Sequence, residues 1–436
     1  MINYKSVSTP EIRKFVKISS DLAQILDKLK VKRVQLADDD SISGIKIRID
    51  GKDDVIKIIG SMDSASSIES DNYIAMLKYK NNIYSLVVKL KPIYKSHGLR
   101  FGGDETDILT KIRKYIIKNG VDLVSMPFVN HASILTNLSV PYRNKKIQLF
   151  KNRRKFVNMF VSDIDKLAKK VSKVEDSELQ SILGHHVAGI NYVIESVNDI
   201  EITDKTGVII SMLMTGNAIH MWEHIKNENV NTALNQLLTQ IGFGLLVLRR
   251  VFNCIHFDVA LRNILFTALD ELFFYKYIID DKSYIIAINH IFTLWDFGMS
   301  VQLDNMNKRT KQLLRRRLEI FYSHNFPEIM VSIDNINFDN KLILEKLKYI
   351  DEWMFLRSLK NVLLGTGKLK IVNDTLRSII DSSIINAEKN ITYGLFDDNE
   401  PSGGVIDLFS DKYQHIFEQN LLYTKNFSVI RMKTTP

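Results

Sequence analysis

A carboxylate stands five positions ahead of a carboxamide in the stretch His256-Phe257-Asp258-Val259-Ala260-Leu261-Arg262-Asn263. That spacing lets the aspartate face an incoming hydroxyl while the Asn263 side-chain oxygen turns back toward a divalent cation. Farther along, Asp296 follows the apolar run Phe292-Thr293-Leu294-Trp295 and precedes Phe297-Gly298, offering a second hard oxygen ligand. Upstream, Lys89 closes the alternation Leu86-Val87-Val88-Lys89-Leu90, so a single ammonium is expected to emerge from an otherwise apolar strand. Glu105 opens an Ile- and Leu-rich helical pattern, where it could pair with that amine and suits the positive end of the helix. Cations held over phosphates and a carboxylate aimed at an acceptor hydroxyl are what phosphoryl transfer asks of a protein.

These groups are spread over more than half the chain, so the elements between them must bring them together. Residues 11 to 29 carry helical spacing, apolar at Phe15, Ile18, Leu22 and Leu26, and the isoleucines between Gly44 and Ile49 alternate with charges as in a strand. From Val55 the texture predicts three consecutive antiparallel strands: Val55 to Gly60, Asn72 to Tyr79 and Ile83 to Leu90, the last two joined by a polar turn at Lys80 to Asn82. A helix is expected next, with Ile108, Leu109, Ile112, Ile116 and Ile117 on one face and Gly120 at its end. Because Ile108 and Leu109 lie three and four residues beyond Glu105, they turn it inward with them.

The stretch from about 140 to 203 has basic runs and an acidic patch but no catalytic constellation, and reads as an insertion. A strand, Gly207 to Leu213, then leads into a turn and a short helix. From Asn231 a strong amphipathic helix places Leu234, Leu237, Leu238, Ile241, Leu245 and Leu248 on one stripe. Two strand-like runs, Glu271 to Ile279 and Ser283 to Phe292, separate Asn263 from Asp296, and the chain beyond Lys308 reads as predominantly helical.

The ordered set of strand lysine, helix glutamate, His-x-Asp-x-x-x-x-Asn loop and Asp-Phe-Gly triplet resembles the signature of the protein kinase superfamily, in a divergent form similar to kinases of large DNA viruses. The resemblance implies an α+β fold of two lobes, a small β-rich N-lobe and a mostly helical C-lobe, with ATP and Mg²⁺ between them. It divides the chain into an extension (1–54), an N-lobe (55–211) carrying the insertion at about 140–203, and a C-lobe (212–436). It implies that Asp258 is the catalytic base, that Asn263 and Asp296 are the metal ligands, and that Lys89 and Glu105 form the phosphate-clamping pair. Gly60 would begin the phosphate loop, Val87 and Leu265 would sandwich the adenine, and Met212, Leu213 and Met214 would form the hinge along its edge. The helix containing Asp351 would brace the catalytic loop. The activity implied is transfer of the γ-phosphoryl group to protein hydroxyls, by default serine or threonine; a pseudokinase scaffold and a small-molecule kinase are the alternatives.

Departures from that pattern are specific. Phe257 stands where many members carry arginine, which argues against activation through that arginine and a phosphorylated loop. Ala260 replaces the usual lysine of serine/threonine kinases, and Arg262 occupies the place used by tyrosine kinases. Gly60 is followed by Ser61, Met62, Asp63, Ser64, Ala65 and Ser66, so the later glycines of a phosphate loop are missing and close backbone approach is weakened. No Ala-Pro-Glu triplet follows Gly298. His256 reads as a structural histidine, since Asp258 suffices to accept a proton. His185-His186 lacks metal-binding spacing, and Cys254 reads as buried and inert.

Composition is that of a folded globular protein: 436 residues, 45% hydrophobic and 25% charged, enough chain to bury a core in two packed units. A lone cysteine makes no internal disulfide, and no leader or membrane-spanning run is visible. An intracellular, reducing compartment is expected. The +9 charge gathers at Lys145-Lys146, Lys151 to Lys155 and Lys308 to Arg317. These runs read as solvated helix faces, because no nucleic-acid-binding signature accompanies them. The expected partners are ATP and a protein substrate, with neither membrane nor nucleic acid; the oligomeric state is left open.

Overall fold

A computed structural model describes residues 5–7, 21–22, 24–26, 31–36, 45–49, 52–61, 71–79, 81–96, 99–101, 103–119, 125, 129–136, 144, 147–149, 151–152, 166–173, 201–212, 214, 216–279 and 282–401. The N-terminal half supplies strands β1 (Lys5–Val7), β2 (Val31–Leu36), β3 (Ile45–Ile49), β4 (Lys52–Ser61), β5 (Asp71–Tyr79), β6 (Asn82–Ser96) and β7 (Leu99–Phe101). Helix α1 (Gly103–Asn119) and strands β8 (Val129–Thr136) and β9 (Glu201–Met212) follow. The second half contains β10 (Gly216–Asn217), α2 (Ala218–His224), α3 (Val230–Arg250), β11 (Cys254–Ile255), β12 (Ile264–Ile279), β13 (Lys282–Leu294) and β14 (Val301–Gln302). It ends in α4 (Lys308–Asn325), α5 (Lys341–Leu347), α6 (Tyr349–Gly365) and α7 (Asp374–Ile391). The architecture is α+β, with a sheet-built N-terminal region and a largely helical C-terminal one.

The N-terminal sheet is antiparallel throughout, in the order β2-β3-β4-β5-β6-β9-β8 with β7 on the far end of β6. Strand alternation divides β6 between two faces. Leu86, Val88 and Leu90 enter a core with Ile56, Ile58, Ala75, Leu77, Val208, Ile210, Leu22 and Leu26. Val87, Lys89 and Lys91 therefore share the opposite face.

The segment before residue 55 is woven into both lobes: β2 and β3 extend the sheet beyond β4, and β1 pairs with β12 at Lys5↔Ile278. Strand β8 pairs along β9. Most of the expected insertion, the hinge residue Leu213, the tract 62–70 after Gly60, and His185-His186 lie outside the described residues.

Helix α3 runs through the C-terminal core with its leucine stripe fully covered, each such side chain contributing about 1.5–3 kcal/mol by leaving water. Its two buried glutamines have a separate task. Gln236 Oε1 accepts from the backbone N–H groups of Asn289 and His290, each at 3.2 Å. One turn later, Gln240 accepts from Phe292 N at 3.0 Å and donates to His290 O at 2.9 Å. Polar side chains thus cover the open edge of β13, where an unpaired backbone row would otherwise be buried.

Candidate active site

Strand β6 and helix α1 meet the end of β13 at a compact charged cluster. Lys89 Nζ donates to Glu105 Oε1 at 2.8 Å and to Asp296 Oδ1 at 2.6 Å. The Glu105 register follows from the helix pattern: Ile108, Leu109 and Ile112 are buried against the C-terminal core, and Glu105, 2% exposed, turns in with them. The acids Asp104 and Glu105 occupy the first turn of α1, where the helix dipole favours them.

A second amine lies just past Leu90, where the sequence reading ended the strand that in fact runs on to Ser96. The expected single ammonium is corrected to two, because Lys91 lies two residues beyond Lys89 on the same face and its Nζ donates to Glu105 Oε2 at 2.8 Å. Burial opposes the charge on Lys89, but the facing Glu105 and Asp296 carboxylates outweigh it and hold its ammonium above the ordinary lysine value. Burial likewise raises Asp296 and Glu105, and the two lysines outweigh it, so both carboxyls titrate below their usual range. Lys89, Glu105 and Asp296 are therefore ionised at neutral pH.

The loop containing Asp258 is held from beneath. Asp351, buried on α6, accepts from His256 N at 2.7 Å and Phe257 N at 2.8 Å. Phe257 is there forced to φ +63°, an uncommon conformation for a bulky residue that costs on the order of 1–3 kcal/mol and persists because the carboxylate fixes its N–H. Leu261 N donates to Ser358 Oγ at 3.0 Å, tying the same loop to α6 again. Asn263 Nδ2 donates to Asp258 O at 2.9 Å, which commits the amide nitrogen to the loop and leaves the oxygen as the atom for a cation. Asp258 pairs with Arg262, while burial raises its carboxyl above the ordinary aspartate value despite that arginine.

Asp296 adopts a left-handed conformation, φ +57°, at the end of β13. Trp295 N donates to Asn263 O at 2.8 Å, joining the Asn263 and Asp296 segments directly. Phe297 is buried with its ring 4.4 Å from His256, and His256 Nε2 bonds Trp295 O at 3.0 Å. His256 is fully buried, so the structure places it as a brace between the two segments. Asp296 keeps 40% of its side chain exposed and so reaches solvent. The Asn263 oxygen and the Asp296 carboxylate form a hard oxygen donor set that fits Mg²⁺.

Of the remaining expected contacts, Val87 shares the lysine face of β6 and is buried, and Leu265, partly buried, pairs with Asn217 just past the crossing between lobes. Met212 ends β9 opposite Leu86, and Met214 is buried with its sulfur 3.3 Å from Thr267 Oγ1. Gly60 lies within β4 opposite Ile74, with open space where a Cβ would be. Nothing in its packing demands glycine.

Several cations of the basic run 308–317 make intramolecular contacts, those of Arg309 and Lys311 at the surface. Arg309 bonds Asp104 at 2.8 Å, Lys311 bonds Asp339 at 2.6 Å, Arg315 lies over Phe338, and Arg317 donates to Gly298 O at 3.1 Å. Helix α4 therefore clamps the segment after Asp296 and the start of α1. Among the described residues one further grouping of metal-type ligands occurs, His220, Glu223 and His224, all exposed on α2 with ligand atoms within 4.8 Å of one another. Cys254 is buried, and burial pushes its thiol well up.

No protein-family model and no curated protein matches the sequence. Among solved structures, the chain is similar to the PK-1 kinase of Cydia pomonella granulovirus, at 11% identity over 79% of this chain and 95% of that one, with a TM-score of 0.31. It is also similar to a MAP kinase of Leishmania major, at 12% identity over 85% of this chain and 94% of that one, with a TM-score of 0.29. The course of the chain, from antiparallel strands through α1, β8 and β9 into a helical region that carries the Asp258 loop, has the α+β order that the sequence resemblance implied.

Proposed function

We propose that the chain is an ATP-dependent protein kinase that transfers the γ-phosphoryl group to serine or threonine hydroxyls. One observation carries this reading: Lys89, 207 positions from Asp296 in sequence, places its Nζ 2.6 Å from that carboxylate while Glu105 holds it from the other side. An amine held beside an ionised, part-exposed carboxylate is suited to a triphosphate and its cation.

In this reading Lys89 orients the α- and β-phosphates and Glu105 orients Lys89. Asp258 accepts the proton of the acceptor hydroxyl, and its raised affinity for a proton suits it to that task. Asn263 and Asp296 hold Mg²⁺, which when bound neutralises charge on the phosphates. Val87 and Leu265 flank the adenine, and Met212, Leu213 and Met214 line its edge. Incubation with γ-labelled ATP, Mg²⁺ and a protein mixture, wild type beside Asp258→Ala, tests the reading. Label transferred by the wild type alone supports it; equal label in both sinks it.

A second reading, transfer to a small-molecule hydroxyl, is favoured by one feature. Only Met299 to Asn307 separates Gly298 from α4, leaving little chain to form a docking platform for a polypeptide. A metabolite panel assayed beside the protein mixture separates the two. Nucleotide binding without transfer to any acceptor would assign the chain as a pseudokinase scaffold.

A further inference from the structure

We propose that His220, Glu223 and His224 form a binding site for a transition-metal ion of the zinc class on the outer face of α2. The inference stands apart from the kinase reading and uses none of the residues around Lys89.

Helix α2 has two distinct faces. Ala218, Met221 and Trp222 are buried, and His220, Glu223 and His224 are exposed on the opposite side. The three stand at positions i, i+3 and i+4, the spacing that makes neighbours of side chains on a helix. Their ligand atoms all lie within 4.8 Å of one another. A tetrahedral zinc ion, roughly 2.0–2.2 Å from each ligand, needs those atoms about 3.3 Å apart. Rotations of exposed side chains close that gap without moving the backbone.

The three groups are not committed to one another or to the core. His220 Nδ1 and Glu223 Oε2 are 3.8 Å apart, too far for a hydrogen bond. The rings of His220 and His224 meet edge to face with centroids 4.5 Å apart, so two imidazoles already converge. Among the described residues, neither the Glu223 carboxylate nor the His224 ring has a hydrogen-bond partner. Two imidazole nitrogens and one carboxylate oxygen suit Zn²⁺, whereas Mg²⁺ and Ca²⁺ prefer oxygen throughout. Such a set fills three of the four zinc positions and leaves the last to solvent.

The ion ties one turn of α2 to the next. With seven residues, this helix is too short to hold its shape by its own hydrogen bonds. It follows directly on β10, whose two residues pair with Leu265 and Phe266 of β12. Metal binding therefore stiffens the segment through which the chain enters its helical region.

Calorimetric titration of the full chain, freed of metal by chelation, with Zn²⁺ and with Mg²⁺ as the control ion tests the site. The wild type should take up zinc and not magnesium. His220→Ala/His224→Ala should lower zinc affinity about 100-fold or more, at least what losing a group that merely supports a metal ligand costs. Glu223→Gln, which keeps the shape and drops the charge, should lower it about tenfold. All three side chains are exposed, so these variants should fold, and circular dichroism checks that they do. Amide hydrogen exchange on the wild type needs no variant: Zn²⁺ should slow exchange across residues 218–224. A wild type that takes up no zinc, equal zinc affinity in the double variant, or protection that spares α2 overturns the proposal. Each of those results leaves the phosphoryl-transfer reading as it stands.

Discussion

The Lys89 ammonium and the Asp296 carboxylate, 2.6 Å apart, join strand β6 of one lobe to the end of β13 in the other. Their contact couples the two residues as one unit. Lys89→Met and Asp296→Asn should each lower phosphoryl transfer by roughly 10²–10³-fold, the scale for removing one preorganised charge at a reacting group. The double variant should lose far less than the product of the two, since under the proposed function both act on the same phosphates. Initial rates, with circular dichroism to confirm a retained fold, check this. Full activity in either single variant would exclude the assigned role.

Asp351 supports the loop from the core, and its removal should be felt as stability. Asp351→Ala leaves the N–H groups of His256 and Phe257 buried without acceptors and frees Phe257 from its positive φ. A loss of about 2–5 kcal/mol is expected in urea unfolding. Asp351→Asn retains one acceptor and should fall between.

The Lys89–Glu105 pair sets a pH window. The Glu105 carboxyl is held below its ordinary range, so its contribution is complete above about pH 5 and is lost as the pH falls toward the depressed value. The Lys89 ammonium is held above its ordinary value, so its contribution is complete below about pH 10 and is lost as the pH rises beyond it. Stability from this pair should be flat through neutrality and fall on both flanks. Glu105→Gln should be less stable than the wild type at neutral pH, with the gap closing in acid. Unfolding free energies measured across pH would refute this if the gap stayed constant.

The buried glutamines of α3 make a stability test away from the chemistry. Gln240→Leu preserves bulk but orphans Phe292 N and His290 O at the covered edge of β13. A loss of about 2–4 kcal/mol is expected, because two backbone groups lose their partners in a site closed to water. Thermal unfolding measures it, and an unchanged midpoint would show that the edge finds other partners.

Several of these relationships are legible in residue order alone, because they depend on neighbours within a turn or two. The spacing of Asp258 and Asn263, the inward register of Glu105 with Ile108 and Leu109, and the leucine stripe of α3 all follow from local periodicity. Other features were hidden. Lys91 falls just outside the expected strand, and only the longer β6 and the packing of α1 bring it onto the carboxylate that Lys89 also meets. The basic run of α4 is solvated in part, as at Arg309, and its individual partners, Asp104 for Arg309 and Gly298 O for Arg317, come from distant segments.

By itself, the amino-acid sequence determined which groups could ionise, accept protons or hold a cation, and which faces of the strands and helices had to leave water. Only the tertiary structure decided which amine meets which acid, that β1 crosses to pair with β12, and that Gly298 stands beside Lys91. Periodicity is a property of adjacent residues, whereas pairing between distant segments depends on how sheets and helices pack. That packing is a collective outcome of burial across the whole chain, which no single stretch of it encodes.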